Sequence, residues 1–513
     1  MRLSILTAAL LLTTLPACSK SGGGGGGGGG LGGAGGGAGG EGGAGEGGGG
    51  EPSGVARLLP GEHDPILLYA DLVTPDLEVP AGQVLFAQDR ILCAGQGCGE
   101  GRYAEVAAQA KTVASEDRLI AFPGLIDIHN HVSWNTWNRV RLSQDCYDNR
   151  DEWRGESAYR SFRSKQGAVS GKAFCEATLY GELRVLVGGG TMTQGATLGS
   201  KDWDKYRCLD TLVRNIDEAG LNGDLGGSHV GARISRVTRM DAGDADRLKR
   251  SFDNGSERAW LVHVSEGIDE YARSEFDTLD RLGLVRPELV IIHGTAFGPD
   301  ELGRMGAAGA HLVMSPISNA MYYGRIADAV GARDAGVNLS IAPDWSPSGG
   351  ENMLEELRFF ASHNAQVLQN AFSDEEIIEM ATLAPARALK LDQQLGRLKR
   401  NYRADMMVIR SDVESPRRAL LEASAAQVAL VTVGGRIRYG DADLLQGVVG
   451  PECETLDVCG VAKIICVTDP GRSDDLGKDY SYAGIVGRLQ EIHPDLAPLV
   501  TCDPTPPTPI CQR

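Results

Sequence analysis

Positive charge is in short supply: 50 Lys and Arg face 68 Asp and Glu, for a formal net charge of −18. That balance argues against an electrostatic grip on nucleic acid or on anionic lipid, because both need clustered cations. A small-molecule substrate is the partner left to expect. No compact C-x-x-C pair occurs, so zinc-finger and dithiol chemistry lack their usual spacing. A long apolar run is missing too, since the N-terminal stretch from Leu3 to Leu15 is too short for a comfortable membrane span. Histidine is rare, with nine in 513 residues, so each one can be weighed by its position.

The N-terminus combines Arg2, the apolar stretch and Leu15-Pro16-Ala17-Cys18, which reads as a secretory signal over residues 1–18. Its end resembles a bacterial lipobox. The resemblance implies lipidation of Cys18 and an exported lipoprotein at the outer membrane, cell surface or periplasm, touching the membrane through its lipid alone. Residues 19–54 are two-thirds glycine, with little to bury and much backbone entropy to lose, and are expected to form a flexible tether. Ten further cysteines in an exported chain point to disulfides rather than metal ligands. Sequence proximity suggests Cys93 with Cys98 and pairs within the group Cys453 to Cys511, although connectivity does not follow from sequence.

Beyond the tether, residues 55–122 give short β-rich runs broken by Pro, Gly and Asp turn signals, and residues 396–445 give a second such set. Between them, residues 123–395 alternate short apolar runs with helical stretches, the pattern of a (β/α) barrel. Ser373 with Glu376 predicts a capping box, and ENMLEELRFFASH predicts an amphipathic helix. One barrel flanked by two halves of a small β-domain is the simplest arrangement. Residues 446–513 read as a Cys-rich extension.

Four histidines stand behind or inside strand-like runs. His129 and His131 follow GLIDI, His263 lies in AWLVHVSEG and His293 in ELVIIHGTAF, while Asp344 closes VNLSIAPDW. In a barrel the C-terminal strand ends share one face, so residues far apart in sequence can meet there. The spacing of His129 and His131 puts both imidazoles on one side of a strand, within reach of one ion. With His263 and Asp344 the set offers nitrogen and oxygen ligands suited to Zn, with Fe or Mn also compatible.

Together the motifs resemble the amidohydrolase superfamily. PGLIDIHNH looks like its first-strand metal motif, HVSE like its fifth-strand His with a Glu three residues on, and IIHG like its sixth-strand His. MSPISN is similar to the seventh-strand element, and IAPDWSPSGGENMLEEL to the eighth-strand Asp and the helix after it. The resemblance runs from about Ile66 to Gly440, in the family's order. It implies an α/β fold, a TIM-like (β/α)8 barrel with a small composite β-sandwich domain built from the N- and C-terminal flanks. The branch it points to is similar to the cytosine deaminase and chlorotriazine hydrolase group, with one divalent metal bound by His129, His131, His263 and Asp344. No lysine for a bridging carbamate is found in SHVGARISRV, which favours one metal over two.

The activity so implied is hydrolysis of non-peptide carbon–nitrogen bonds in a small molecule. Asp344 would accept the proton of the attacking water, Glu266 would serve the leaving nitrogen as general acid/base, and His293 would orient the nucleophile or stabilise developing charge. Ser318 and Asn319 either touch substrate or shape the turn. His229 and Trp134 are further candidates for substrate contact. Two departures bear on the substrate: RNYRAD lacks the family's turn glycine, and the loop after Asp344 is rich in Ser and Gly. Two other readings are a non-catalytic surface binding protein on the same scaffold and a binuclear, dipeptidase-like hydrolase. A homodimer is compatible with the sequence.

Overall fold

The computed structural model describes residues 64–140, 142, 145–195, 212–216, 225, 229–231, 236–467, 480–502 and 511. The expected signal sequence, Cys18 and the glycine tether lie outside the described residues.

Five strands come from the N-terminal flank: β1 (Ile66–Thr74), β2 (Leu77–Ala87), β3 (Arg90–Gly95), β4 (Lys111–Val113) and β5 (Leu119–Pro123). The turn between β1 and β2 is Pro75-Asp76, where the Thr74 hydroxyl donates to Asp76 Oδ1 at 2.8 Å. Eight short strands follow: β6 (Leu125–Ile126), β7 (Gly190–Thr193), β8 (Arg214–Asn215), β9 (His229–Gly231), β10 (Glu257–Val264), β11 (Leu289–His293), β12 (His311–Met314) and β13 (Asn338–Ile341). The C-terminal part supplies β14 (Met406–Arg410), β15 (Val428–Val433), β16 (Arg436–Asp441), β17 (Glu454–Val458) and β18 (Val461–Ile465).

Strands of both flanks share one sheet, in the order β17-β18-β16-β15-β14-β5-β1-β2-β3, with β4 paired to β1. Its seam is β5 against β14, antiparallel, with Phe122 opposite Met407. Both strands are apolar along nearly their whole length and covered on both faces, which explains the absence of alternation in AFP and MMVI.

The middle of the chain is α/β with parallel sheets. β9 to β13 form one parallel sheet in sequence order, and β6, β7 and β8 form another. Parallel neighbours require crossovers, and helices Glu270–Arg281, Pro299–Ala308 and Ala329–Asp334 supply them after β10, β11 and β12. Side chains alternate between two clusters. Ala259, Leu261, Val290, Ile292 and Val313 pack with Ile126, Ile128 and Met192 of the other sheet. Trp260, Val262, Ile291 and Leu312 pack outward with the helices. The two sheets also meet directly: Asp344 N–H donates to His129 O at 3.0 Å and His131 N–H donates to Asp344 O at 2.9 Å.

Helix Met353–Gln366 begins at Asn352, whose side chain accepts from Glu355 N, and helix Asp374–Glu379 has the capping box of Ser373 and Glu376. The C-terminal segment folds back over the loop that follows His131. His493 Nε2 and Ala497 N both donate to Thr136 O, at 3.0 and 2.9 Å, and Tyr180 Oη donates to Ala497 O at 2.6 Å. Disulfides join Cys93 to Cys98, Cys453 to Cys466 and Cys459 to Cys502. Cys511 departs from pairing by proximity. It bonds to Cys146, 365 residues away, because the returning segment carries it to that loop.

Candidate metal centre

The site forms where the parallel strands end. His129 and His131 lie just past β6, His263 is the penultimate residue of β10, His293 ends β11 and Asp344 follows β13 by three residues. His263 is in phase with the inward-facing Ala259 and Leu261, so its ring enters the same interior. Ser265, His293 and Asp344 have positive φ, at 58°, 76° and 68°. Non-glycine residues rarely adopt that conformation, and it turns the chain sharply at each strand end.

The ligand atoms are close. His129 Nε2 lies 3.2 Å from His263 Nε2. Asp344 Oδ1 is 3.4 Å from His129 Nε2 and 3.5 Å from His131 Nε2. His129, His131 and His263 each offer an atom within 4.8 Å of the others, and so do His129, His293 and Asp344. The two groups share His129, so this is one centre with His293 at its edge.

The donor set fits a divalent cation. His129 Nδ1 is 2.7 Å from Ser315 Oγ, which leaves Nε2 turned to the centre. Burial first, then the neighbouring His293, His263 and His131, hold His129 well below the usual histidine range. Burial likewise pushes His131 down to about 4 and His263 well below its ordinary value. All three rings therefore offer neutral lone pairs at pH 7. Burial, reinforced by the Glu266 charge, drives Asp344 well above the usual carboxylate range, against a hydrogen bond from Ser318. A cation among these groups would satisfy the facing lone pairs and favour the carboxylate form.

The residues around the centre fix its members. Ser318 Oγ donates to Asp344 Oδ2 at 2.7 Å. Asn319 Oδ1 accepts from His293 Nδ1 at 2.9 Å, while its amide donates to Thr295 Oγ1 at 2.8 Å. Both side chains of the MSPISN helix thus engage protein groups of the centre. Glu266 Oε2 lies 3.7 Å from His293 Nε2, and Glu266 Oε1 accepts from Tyr323 Oη at 3.0 Å. Asp269, not Glu266, caps the helix that follows.

Sequence reasoning missed several members. Asp127 is buried, accepts from His129 N and Asn130 Nδ2, and is pushed up to about 7 by burial. Ser315 lies within MSPISN and Tyr323 follows it, and their helical spacing from Ser318 and Asn319 was the available signal. Arg150, 3.6 Å from Glu266 Oε2 and 3.0 Å from Glu275 Oε1, gave none, because the pairing is set by tertiary contact.

Aromatic side chains cover one side. Trp345 is 5.6 Å from the His131 ring, 5.2 Å from Trp134 and 6.2 Å from both Trp153 and Phe162, between ring centroids. Trp134, a candidate for substrate contact, is thus one member of a cluster. His131 opens toward it, with 26% of its side chain exposed. His229 begins β9, where its backbone pairs with Glu257, but its side chain lies outside the described residues.

Residues 248–438 match the model of the Amidohydrolase family. A 5-methylthioadenosine/S-adenosylhomocysteine deaminase of Pyrococcus abyssi is 29% identical over 291 residues, which is 47% of this chain and 68% of the relative. Matches to two more deaminases of that name cover only 37% and 36% of the relative's length. A zinc-bound adenosine deaminase from Xanthomonas campestris is similar in structure, with a TM-score of 0.57 at 19% identity, covering 73% of this chain and 92% of that one. So is a mutant atrazine chlorohydrolase from Arthrobacter aurescens TC1, with a TM-score of 0.59 at 18% identity, covering 72% and 94%. At such identities the structural likeness shows the fold alone. The family match and the deaminase relatives support the amidohydrolase superfamily for this chain and a hydrolase acting on carbon–nitrogen bonds.

Proposed function

We propose that the chain is a metal-dependent hydrolase that cleaves non-peptide carbon–nitrogen bonds of a small molecule, as amidohydrolases and deaminases do. One divalent ion, zinc by its donor set, would be held by His129, His131, His263 and Asp344. The observation that carries this reading is the approach of His129 Nε2 to His263 Nε2 at 3.2 Å, with Asp344 Oδ1 3.4 Å from the first of them. The deaminase-named relatives and the zinc-bound structural neighbour favour it. We read the two parallel sheets as parts of one (β/α)8 barrel, supported by their shared inner cluster. Export and a lipid anchor at Cys18 rest on residues 1–54 alone and remain part of the proposal.

When bound, the ion would lower the pKa of a water toward neutrality and polarise the scissile group. The protein's own groups do the rest. Ser318 holds Asp344 Oδ2, leaving Oδ1 toward His129 and His131, so the carboxylate can take a proton from the attacking water without leaving the centre. With the His293 proton on Nδ1 toward Asn319, Nε2 offers a lone pair that orients that water by accepting its hydrogen. Glu266, anchored by Tyr323, can relay the proton taken from the water through Oε2 to the leaving nitrogen, returning to its charged form.

The test is a metal count joined to an ammonia-release screen over amides, lactams, cyclic ureas and aminated heterocycles, on protein lacking residues 1–54. One metal per chain, lost in the double variant His129→Ala, His131→Ala, is expected. No stoichiometric metal would overturn the site, two per chain would favour the binuclear reading, and a bound metal with no turnover would favour a binding protein.

A further inference from the structure

Helix Arg150–Gly155 lies directly against the site. Arg150 and Arg154 are one turn apart, so they project from the same face. Arg150 is buried and engaged by Glu266 and Glu275, which shows that this face looks toward the centre. Between them, Trp153 Nε1 donates at 2.8 Å to Tyr323 Oη, the same hydroxyl that holds Glu266. The Trp153 ring also packs 6.2 Å from Trp345, which in turn borders His131.

Arg154 differs from its neighbour. It is half-buried, yet among the described residues it makes no hydrogen bond and no ion pair, in a chain with 68 carboxylates for 50 basic groups. The Tyr159 ring, 4.9 Å from that of Trp153, feels its positive charge, which puts the guanidinium on the aromatic side of the centre. A guanidinium is a planar fork that pairs bidentately with a carboxylate. Holding one half-desolvated and unpaired beside a reaction centre is unfavourable unless an anion arrives to complete it.

We propose that Arg154 is a specificity-determining residue that binds a carboxylate of the substrate, so that the molecule hydrolysed carries an anionic group beside its scissile carbon–nitrogen bond. This inference rests on the hydrolase reading above. It narrows the substrate class: the aromatic cluster takes the apolar body, Arg154 takes the carboxylate and the centre takes the bond to be cleaved.

Two measurements decide it. In calorimetric titrations of the metal-loaded protein, benzoate should bind about tenfold or more tighter than benzamide, a difference that Arg154→Ala abolishes and Arg154→Lys partly restores. No preference in the wild type, or a preference unchanged in Arg154→Ala, overturns the proposal; the second result would mean that benzoate prefers the metal alone. Among amides and aminated heterocycles offered in matched pairs with and without a carboxylate, the acidic members should show higher kcat/KM, through KM, only while Arg154 is present. If the binding preference follows Arg154 and no pair is turned over, the anion site stands and the hydrolase reading falls. If neutral members are cleaved equally well by wild type and Arg154→Ala, the hydrolase reading stands and the anion site falls. Arg154→Ala should melt at or slightly above the wild-type temperature, since no partner is lost and an unpaired charge is removed.

Discussion

His129 and His263, 134 residues apart, direct their Nε2 atoms at each other across 3.2 Å. Two neutral imidazoles cannot both accept at that distance, and the burial that keeps them neutral removes water as a mediator. Adding zinc to metal-stripped protein should therefore raise the melting temperature. At 100-fold excess over Kd the gain is about 2.7 kcal/mol. His263→Ala should remove most of that gain, read by differential scanning calorimetry with and without a chelator.

Ser318, a candidate for substrate contact or for shaping its turn, donates its hydroxyl to Asp344 Oδ2. Ser318→Ala should weaken metal binding by roughly 10- to 100-fold, the usual penalty for losing the partner of a ligand. A competition titration against a chromogenic chelator reads this directly. An affinity equal to the wild type's would show that Asp344 needs no second anchor.

Gly349 explains why the loop behind Asp344 is glycine-rich. A Cβ there would lie 1.8 Å from Pro343 O, and the Gly349 amide donates to Trp345 O at 2.7 Å. Gly349→Ala must displace backbone, and with it Asp344 and Trp345. Expected are loss of metal affinity and a lowered melting temperature, whereas Gly303→Ala, in open space on a helix, should change neither.

The Cys146–Cys511 bond fastens the C-terminal segment to the loop that delivers Tyr147 and Arg150. The amide of Tyr147 donates to Tyr322 O at 2.8 Å and that of Arg150 to Glu266 O at 3.0 Å. Cys511→Ser should speed hydrogen exchange at both amides and cost on the order of 2–5 kcal/mol of stability. Exchange in β1 and β2, remote from this loop, should stay unchanged.

His311, at the opposite end of β12 from the centre, gives a pH effect free of the metal. Burial pushes it down to about 4, and its Nδ1 accepts from Asn338 Nδ2 at 3.0 Å, a bond that a proton on Nδ1 would break. Above pH 6.5 the ring is neutral in both folded and unfolded chains and adds no pH dependence. As pH falls from 6.5 toward 4 only the unfolded chain takes up the proton, so stability drops, by about 3 kcal/mol at pH 4. His311→Gln should flatten the urea-unfolding free energy over that window. An unchanged slope would mean that His311 titrates alike in both states.

Much of this protein is legible from its sequence because local rules act on neighbouring residues. Short apolar runs ending in His or Asp located β10, β11 and the approach to Asp344, and the H-x-H spacing placed two imidazoles on one strand end. The Ser373 capping box formed as its spacing required. What lay beyond the sequence was every relationship that depends on where separate segments come to rest. Ser318 on Asp344, Arg150 on Glu266, Cys146 with Cys511 and the unpaired Arg154 are set by packing between elements 26 to 365 residues apart. Sequence therefore determined which side chains stand at the strand ends, since backbone periodicity is local. Tertiary structure alone decided which of them are bound, held or left free, because burial and pairing depend on the whole fold.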